Sequence, residues 1–252
     1  MKTSGNTILM TGGGSGIGRE LAREFQARGN MVIVAGRRAE ALEETIGGRA
    51  AMQARTLDVS DAADIASFAA KLLADFPSLN VVFNNAGIMA REDWKADPVD
   101  LAVAEATVAT NILGPIRLTA AFLPHLCKQA AARVVNVTSG LAFVPLAHTP
   151  AYSASKAAMH AWSQSLRWQL RDTSVDVIEL APPGVQTDLT PGQSARETYM
   201  PLADFIAETM ESFGREDTPD EVIVQRAKML RAAEAAGNFD QIFEMLNARY
   251  EG

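Results

Sequence analysis

The sequence predicts an α/β protein: a doubly wound parallel sheet of about six strands, in the order 3-2-1-4-5-6, with helices on both faces. Three observations point there. Short β-branched or apolar runs alternate with longer helical periodicities, each helical stretch is long enough to cross over the sheet, and a glycine-rich turn lies between the first run and the first helix. Right-handed crossovers return the chain in the same direction each time, which makes the sheet parallel and covers both of its faces.

In order, the first strand reads Thr7-Ile8-Leu9-Met10, followed by a helix from about Gly16 to Ala27 and a second strand Met31-Val32-Ile33-Val34. Ala54-Arg55-Thr56-Leu57 is the third strand, and Ser60 is the capping candidate for the helix behind it. Val81-Val82-Phe83, a long helix near 98 to 125, Arg133-Val134-Val135-Asn136-Val137, a helix near 151 to 170 and Val175-Asp176-Val177-Ile178 complete the alternation. Beyond Ile178 the pattern changes. Residues 181 to 198 read as loop, and Leu202, Phe205, Ile206 and Met210 form a helical stripe that stops at Gly214. Thr218-Pro219-Asp220-Glu221 offers an N-cap, a first-turn proline and a capping-box glutamate for a helix ending near Gly237. Phe239, Ile242, Phe243 and Leu246 predict a last amphipathic helix, and no seventh strand is visible.

A chain of 252 residues with 48% apolar composition can bury a sizeable core in one domain, and no linker, repeat or low-complexity tract interrupts residues 1–252. With 23 basic and 30 acidic residues the net charge is -7, and no Lys/Arg-rich run is present, so nucleic acid is not an expected partner. The lone Cys127 cannot pair within the chain, and the first residues pass into a strand without a signal-peptide layout; the expected compartment is the cytoplasm. No uninterrupted apolar run approaches the roughly 20 residues that would span a bilayer, so no membrane association is expected.

Thr11-Gly12-Gly13-Gly14-Ser15-Gly16-Ile17-Gly18 stands where the first strand hands over to a helix, the place where backbone N–H groups can approach a pyrophosphate in a Rossmann-type sheet. The second strand ends Val34-Ala35-Gly36-Arg37-Arg38, without the carboxylate that would grip a ribose 2′-hydroxyl. A guanidinium pairs with a 2′-phosphate where an acid would repel it, so Arg37 and Arg38 favour NADP over NAD. A tight turn and a solvated helix start are the duller readings of these two stretches.

With Asn84-Asn85-Ala86-Gly87, Asn111, Ser139 and Tyr152-Ser153-Ala154-Ser155-Lys156 added to the glycine turn, the chain resembles the short-chain dehydrogenase/reductase family over roughly residues 5 to 190. The resemblance implies that Asp58 and Val59 contact the adenine, that Asn85, Ala86 and Gly87 line the nicotinamide ribose, and that Val185 and Thr187 hold the carboxamide, within a segment where Pro183 replaces the family's glycine. It also implies a tetrad of Asn111, Ser139, Tyr152 and Lys156, with Lys156 holding the ribose hydroxyls and Asn111 binding a water that relays protons.

The chemistry also follows without the resemblance. Hydride reduction of a carbonyl leaves negative charge on oxygen, which needs a proton donor and hydrogen bonds. Tyr152 can supply the proton, Ser139 a hydrogen bond, and an ammonium at i+4, Lys156, is expected to lower the phenol's pKa. Each of these residues has a structural alternative, from helix-cap aromatic to strand-end hydroxyl; their combination is what points to catalysis. NADP-dependent hydride transfer to a carbonyl or from an alcohol, without a metal, is therefore the expected function. The competing class is an NADP-binding redox sensor or scaffold without turnover.

Leu141, Phe143, Val144, Leu146, Leu189, Leu202 and Phe205 suggest a partly apolar substrate pocket, with residues 188 to 213 as a lid and 214 to 252 as a helical extension. This C-terminal part resembles the branch named after the D-alanine cell-wall operon oxidoreductases. His148 reads as a loop residue, Trp162 and Trp168 as packing or subunit contacts, and the sequon Asn136-Val137-Thr138 as part of a buried strand. Ala102, Ala106 and Ala109, with Ala157, Ala158, Ala161 and Trp168, leave two helices apolar on more than one face, which predicts a homo-oligomer. A dimer is favoured over a tetramer because no final strand is visible in the sequence.

Overall fold

Parallel strands buried on both faces must be apolar at every position, and β1 (Thr7–Thr11) and β2 (Met31–Gly36) have no exposed residue. In a computed structural model of the chain, which describes residues 1–248, they are followed by β3 (Met52–Thr56), β4 (Val81–Asn84), β5 (Ala132–Val137), β6 (Val175–Leu180) and β7 (Glu221–Val222). The order is β3-β2-β1-β4-β5-β6-β7 and every pairing is parallel. Side chains alternate across the sheet: Ile8 and Met10 enter a core layer with Phe25, Phe83 and Phe213, while Leu9 enters the opposite layer with Phe68 and Phe122.

The helices are α1 (Gly16–Ala27), α2 (Ala39–Ile46), α3 (Ala62–Asp75), α4 (Ala102–Val108), α5 (Gly114–Leu126), α6 (Pro150–Leu170), α7 (Leu202–Gly214), α8 (Lys228–Ala232) and α9 (Phe239–Ala248). Asp61, not Ser60, caps α3, its carboxylate accepting from the Ala63 and Asp64 amides. A π-helical turn, Ala109–Leu113, joins α4 to α5, so the expected long helix is real but carries a bulge at Asn111. Over Ala102–Leu126 this helix is long and apolar enough, by length and composition, to cross a membrane (mean hydropathy 1.2), although Glu105, Asn111 and Arg117 interrupt its apolar run. Its inner face is committed to the core through Leu118, Phe122 and Leu126.

The expected absence of a seventh strand is overturned. The edge of β6 offers free N–H groups, and Glu179 N and Ala181 N donate to the Asp220 and Val222 carbonyls at 2.8 and 3.1 Å. The helix expected from Thr218 to Gly237 therefore does not form as one piece. Glu221–Val222 pairs as strand, Val222 and Val224 are fully buried, and helix resumes only with a 3-10 turn, Gln225–Ala227, and α8. Arg231 clamps the new edge with a forked ion pair to Glu221, at 2.7 and 3.2 Å.

Candidate active site

The carboxyl ends of β1, β4 and β5 converge on the glycine turn, the position where parallel sheets of this order bind nucleotides. Gly12 has φ +65°, and a Cβ there would lie 2.8 Å from Asn85 Nδ2; at Gly18 it would lie 2.4 Å from the same atom. Both glycines thus admit the Asn85 amide, which donates to the Thr11 and Gly12 carbonyls at 2.9 and 3.3 Å. Thr11 Oγ1 accepts from the Asn85 and Ala86 amides and donates to the Phe83 carbonyl, locking β4 to the turn. Ser15 precedes α1 without capping it through its side chain, leaving the first-turn amides facing the cleft.

That cleft is lined by Gly12, Gly14, Ser15, Gly16, Ile17, Gly18, Arg37, Arg38, Asp58, Val59, Asn85, Ala86, Gly87, Ser139, Tyr152, Lys156, Val185 and Thr187, so every expected cofactor residue lies on one surface. Arg38 Nη2 reaches Ser15 Oγ at 3.4 Å. Asp58 accepts from Ser60 Oγ (2.7 Å) and Ser60 N (2.9 Å), which hold its carboxyl below the usual range, aided by the Arg37 charge. Val185 and Thr187 are fixed by a buried residue that sequence reasoning missed: Gln193 Nε2 donates to Val185 O and Thr187 Oγ1 at 2.9 and 3.0 Å. A loop glutamine 6 to 8 residues downstream carries no local signal for this role.

α6 begins at Pro150 and presents Tyr152 and Lys156 on one face, next to Ser139 at the end of β5. Lys156 Nζ donates to the Val137 carbonyl at 2.8 Å and sits 5.5 Å from the centroid of the Tyr152 ring. Burial pushes Tyr152 up to about 12, against the opposing pull of a Ser139 hydrogen bond, and pulls Lys156 down to about 8. The expected lowering of Tyr152 by Lys156 is therefore corrected: desolvation dominates, and the phenol is held in its protonated form.

Asn111 does not line the cleft. It is buried in the π-turn, bonded to both backbone groups of Ile88 at 2.9 Å and to Ser155 Oγ at 3.1 Å. Ser155 in turn donates to the Tyr152 carbonyl at 2.7 Å, so Asn111 braces the first turn of α6.

A second cleft, about 890 Å³, meets the first at Ser139, Tyr152, Pro182, Pro183, Leu189 and Gln193. Of the residues expected to form an apolar pocket, Leu141, Leu146 and Leu189 line it. The others do not: Phe205 and Leu202 pack into the core beneath the sheet, Val144 belongs to a small cluster with Ile242, and Phe143 stacks edge-on against His160. The missing wall comes from the C-terminal extension instead, through Met229, Leu230, Met245 and Leu246. Asn247 anchors α9 beside the cleft by accepting from Ala147 N at 2.6 Å. His148 lines neither cleft, Trp168 is exposed beneath the Arg171 guanidinium, and Asn136 and Thr138 are buried in and just after β5.

His160, Glu179 and Glu221 bring ligand-type atoms within 4.8 Å of one another outside the clefts. Glu179 is already bonded to His160 and Thr138, and Glu221 is paired with Arg231, so the cluster's ligand-type atoms are engaged within the protein.

A family model described as short chain dehydrogenase matches residues 6–198, from β1 to the far side of the second cleft. The chain belongs to the short-chain dehydrogenase family. As a member it is an oxidoreductase on a nucleotide-binding Rossmann-type sheet. The protein named Uncharacterized oxidoreductase DltE, from Bacillus subtilis (strain 168), is 41% identical over 255 residues, covering 99% of both chains and hence the C-terminal extension as well. Sulfoacetaldehyde reductase 2 of Chromohalobacter salexigens is 35% identical over 187 residues, 73% of this chain and 74% of that one. Among solved structures, a short chain dehydrogenase from Burkholderia cenocepacia J2315 in complex with NADP superposes with a TM-score of 0.83 over 98% of this chain and 99% of its own, at 24% identity, a likeness of fold.

Proposed function

We propose that this short-chain dehydrogenase reduces a carbonyl compound, with NADPH as its cofactor. The observation that carries the reading is the meeting of the two clefts at Ser139 and Tyr152. NADPH bound in the first cleft would supply the hydride. Ser139 hydrogen-bonds the carbonyl oxygen in the second cleft, and Tyr152 gives that oxygen its proton as charge develops on it. Lys156, still largely protonated at neutral pH with a value of about 8, steadies the phenolate left behind and returns a proton to it. Asn111 acts as a positioning residue through Ile88 and Ser155.

Gly36, Arg37 and Arg38 at the end of β2 suit a 2′-phosphate, with no carboxylate among them. The exposed Cys127 fits a reducing compartment, and we place the protein in the cytoplasm. Its partner is a second copy of the chain, met through the exposed faces of α4, α5 and α6.

The test is a panel of aldehydes and ketones assayed with NADPH and NADH, in wild type and in Arg37→Ala/Arg38→Ala. Turnover with NADPH is expected, and the double variant should lose NADPH affinity far more than NADH affinity, since a charge-assisted contact contributes about 1.5–3 kcal/mol. Equal losses for both cofactors would overturn the NADP assignment. NADPH binding without turnover of any carbonyl would favour a sensor.

A further inference from the structure

The second cleft carries a charge that carbonyl reduction does not require. Arg91, Arg196 and Arg226 line it, and among the described residues no aspartate or glutamate does, in a chain where acidic residues outnumber basic ones 30 to 23. The three arginines come from separate places: the loop after β4, the segment between β6 and α7, and the 3-10 turn before α8. Their presence on one cleft is a property of the fold and not of one basic stretch. Arg196 is held in place, its Nη1 donating to the Tyr199 hydroxyl at 3.0 Å and its guanidinium lying 5.3 Å from that ring's centroid. Among the described residues, no carboxylate pairs with Arg91 or Arg226. The remaining wall is largely apolar, with Met89, Leu141, Leu146, Met229 and Met245.

We propose that the substrate is an anionic carbonyl compound, whose carboxylate, sulfonate or phosphate is bound by Arg91 and Arg226 while its carbonyl lies at Ser139 and Tyr152. This rests on the carbonyl-reductase reading of the same site. A guanidinium fork matches such oxyanions and is less strongly hydrated than an ammonium, so a partly enclosed cleft gives up little in taking one. The apolar wall accommodates a short hydrocarbon spacer between the two ends, and Arg91 and Arg226, both exposed on the cleft, can be reached by an oxyanion from solvent.

The experiment compares 4-oxopentanoate, 6-oxohexanoate and 8-oxooctanoate with their methyl esters, at low and high salt, in wild type, Arg91→Ala, Arg226→Ala and Arg91→Lys. Wild type is expected to prefer at least one acid over its ester by about tenfold or more in kcat/KM, with the preference shrinking as salt rises. The acid-to-ester ratio should fall about tenfold in each alanine variant, mainly through KM, and partly survive in Arg91→Lys. Because the ratio is taken within one protein preparation, a folding defect cannot imitate it. Equal use of acid and ester by wild type, or alanine variants that keep the wild-type ratio, would overturn the proposal. Titration of the oxo-acids into the NADP-loaded protein separates it from the parent reading: binding that depends on Arg91 and Arg226 without turnover keeps the anion site and removes the reductase, whereas turnover of esters alone does the reverse. The absence of both binding and turnover for every oxo-acid would overturn the anion site.

Discussion

Tyr152 and Lys156 lie one helical turn apart, and burial moves their pKa values in opposite directions, the phenol up to about 12 and the ammonium down to about 8. The spacing of the pair and its proximity to Ser139 are legible in the sequence, because an i, i+4 relation on a helix is fixed by geometry. The sign of the Tyr152 shift is not. It depends on how much of the sheet and of α6 encloses the ring, which no local pattern reports. The consequence is that Lys156 is the group that titrates near neutrality. Its ammonium is present below about 8 and is lost as the pH rises through that value, so carbonyl reduction should be level up to about pH 7 and decline through pH 8 to 9. Initial rates at saturating NADPH in overlapping buffers check this, and a profile level to pH 10 would mean that the charge on Lys156 is not needed.

At the scale of elements, the first six strands and their crossovers follow from apolar runs and glycine placement, since strands buried on both faces leave a continuous apolar signature. The region after β6 misleads for a physical reason. Thr218, Pro219 and Glu221 satisfy helix-start rules locally, but the open edge of β6 takes Glu221 and Val222 as a two-residue strand too short to show a period. The second cleft was only partly readable. Leu141, Leu146 and Leu189 follow the catalytic motifs in sequence, whereas the arginines and the α8 and α9 side chains reach the cleft only through tertiary packing. The stripe Phe239, Ile242, Phe243 and Leu246 did announce that α9 docks on something, and the structure supplies the partner, the loop around Val144. The π-turn that turns Asn111 inward left no trace in the helical periodicity.

For the whole molecule, the outer faces of the helices behind the site remain apolar. Leu101, Val108 and Leu113 around α4 and α5 are exposed, as are Ala157, Ala158, Ala161 and Trp168 on α6. Such surface suits a second copy of the chain, although β7, now present at the sheet edge, removes the argument that preferred a dimer to a tetramer. Light scattering should find an oligomer in wild type and a smaller species in Ala161→Glu, which would bury a charge at the joint; a monomeric wild type, or an unchanged assembly in the variant, would refute this pairing. In the complete reaction a hydride from the cofactor and a proton from Tyr152 would reach the same carbonyl. This is tested most directly by following NADPH oxidation and alcohol formation together in wild type and in Tyr152→Phe, with NADPH affinity measured on both. One alcohol should form per NADPH consumed in wild type, turnover should fall about 10²–10⁴-fold in Tyr152→Phe, and NADPH affinity should stay within a few-fold of wild type. Turnover by Tyr152→Phe above about a tenth of the wild-type rate would contradict proton donation by Tyr152.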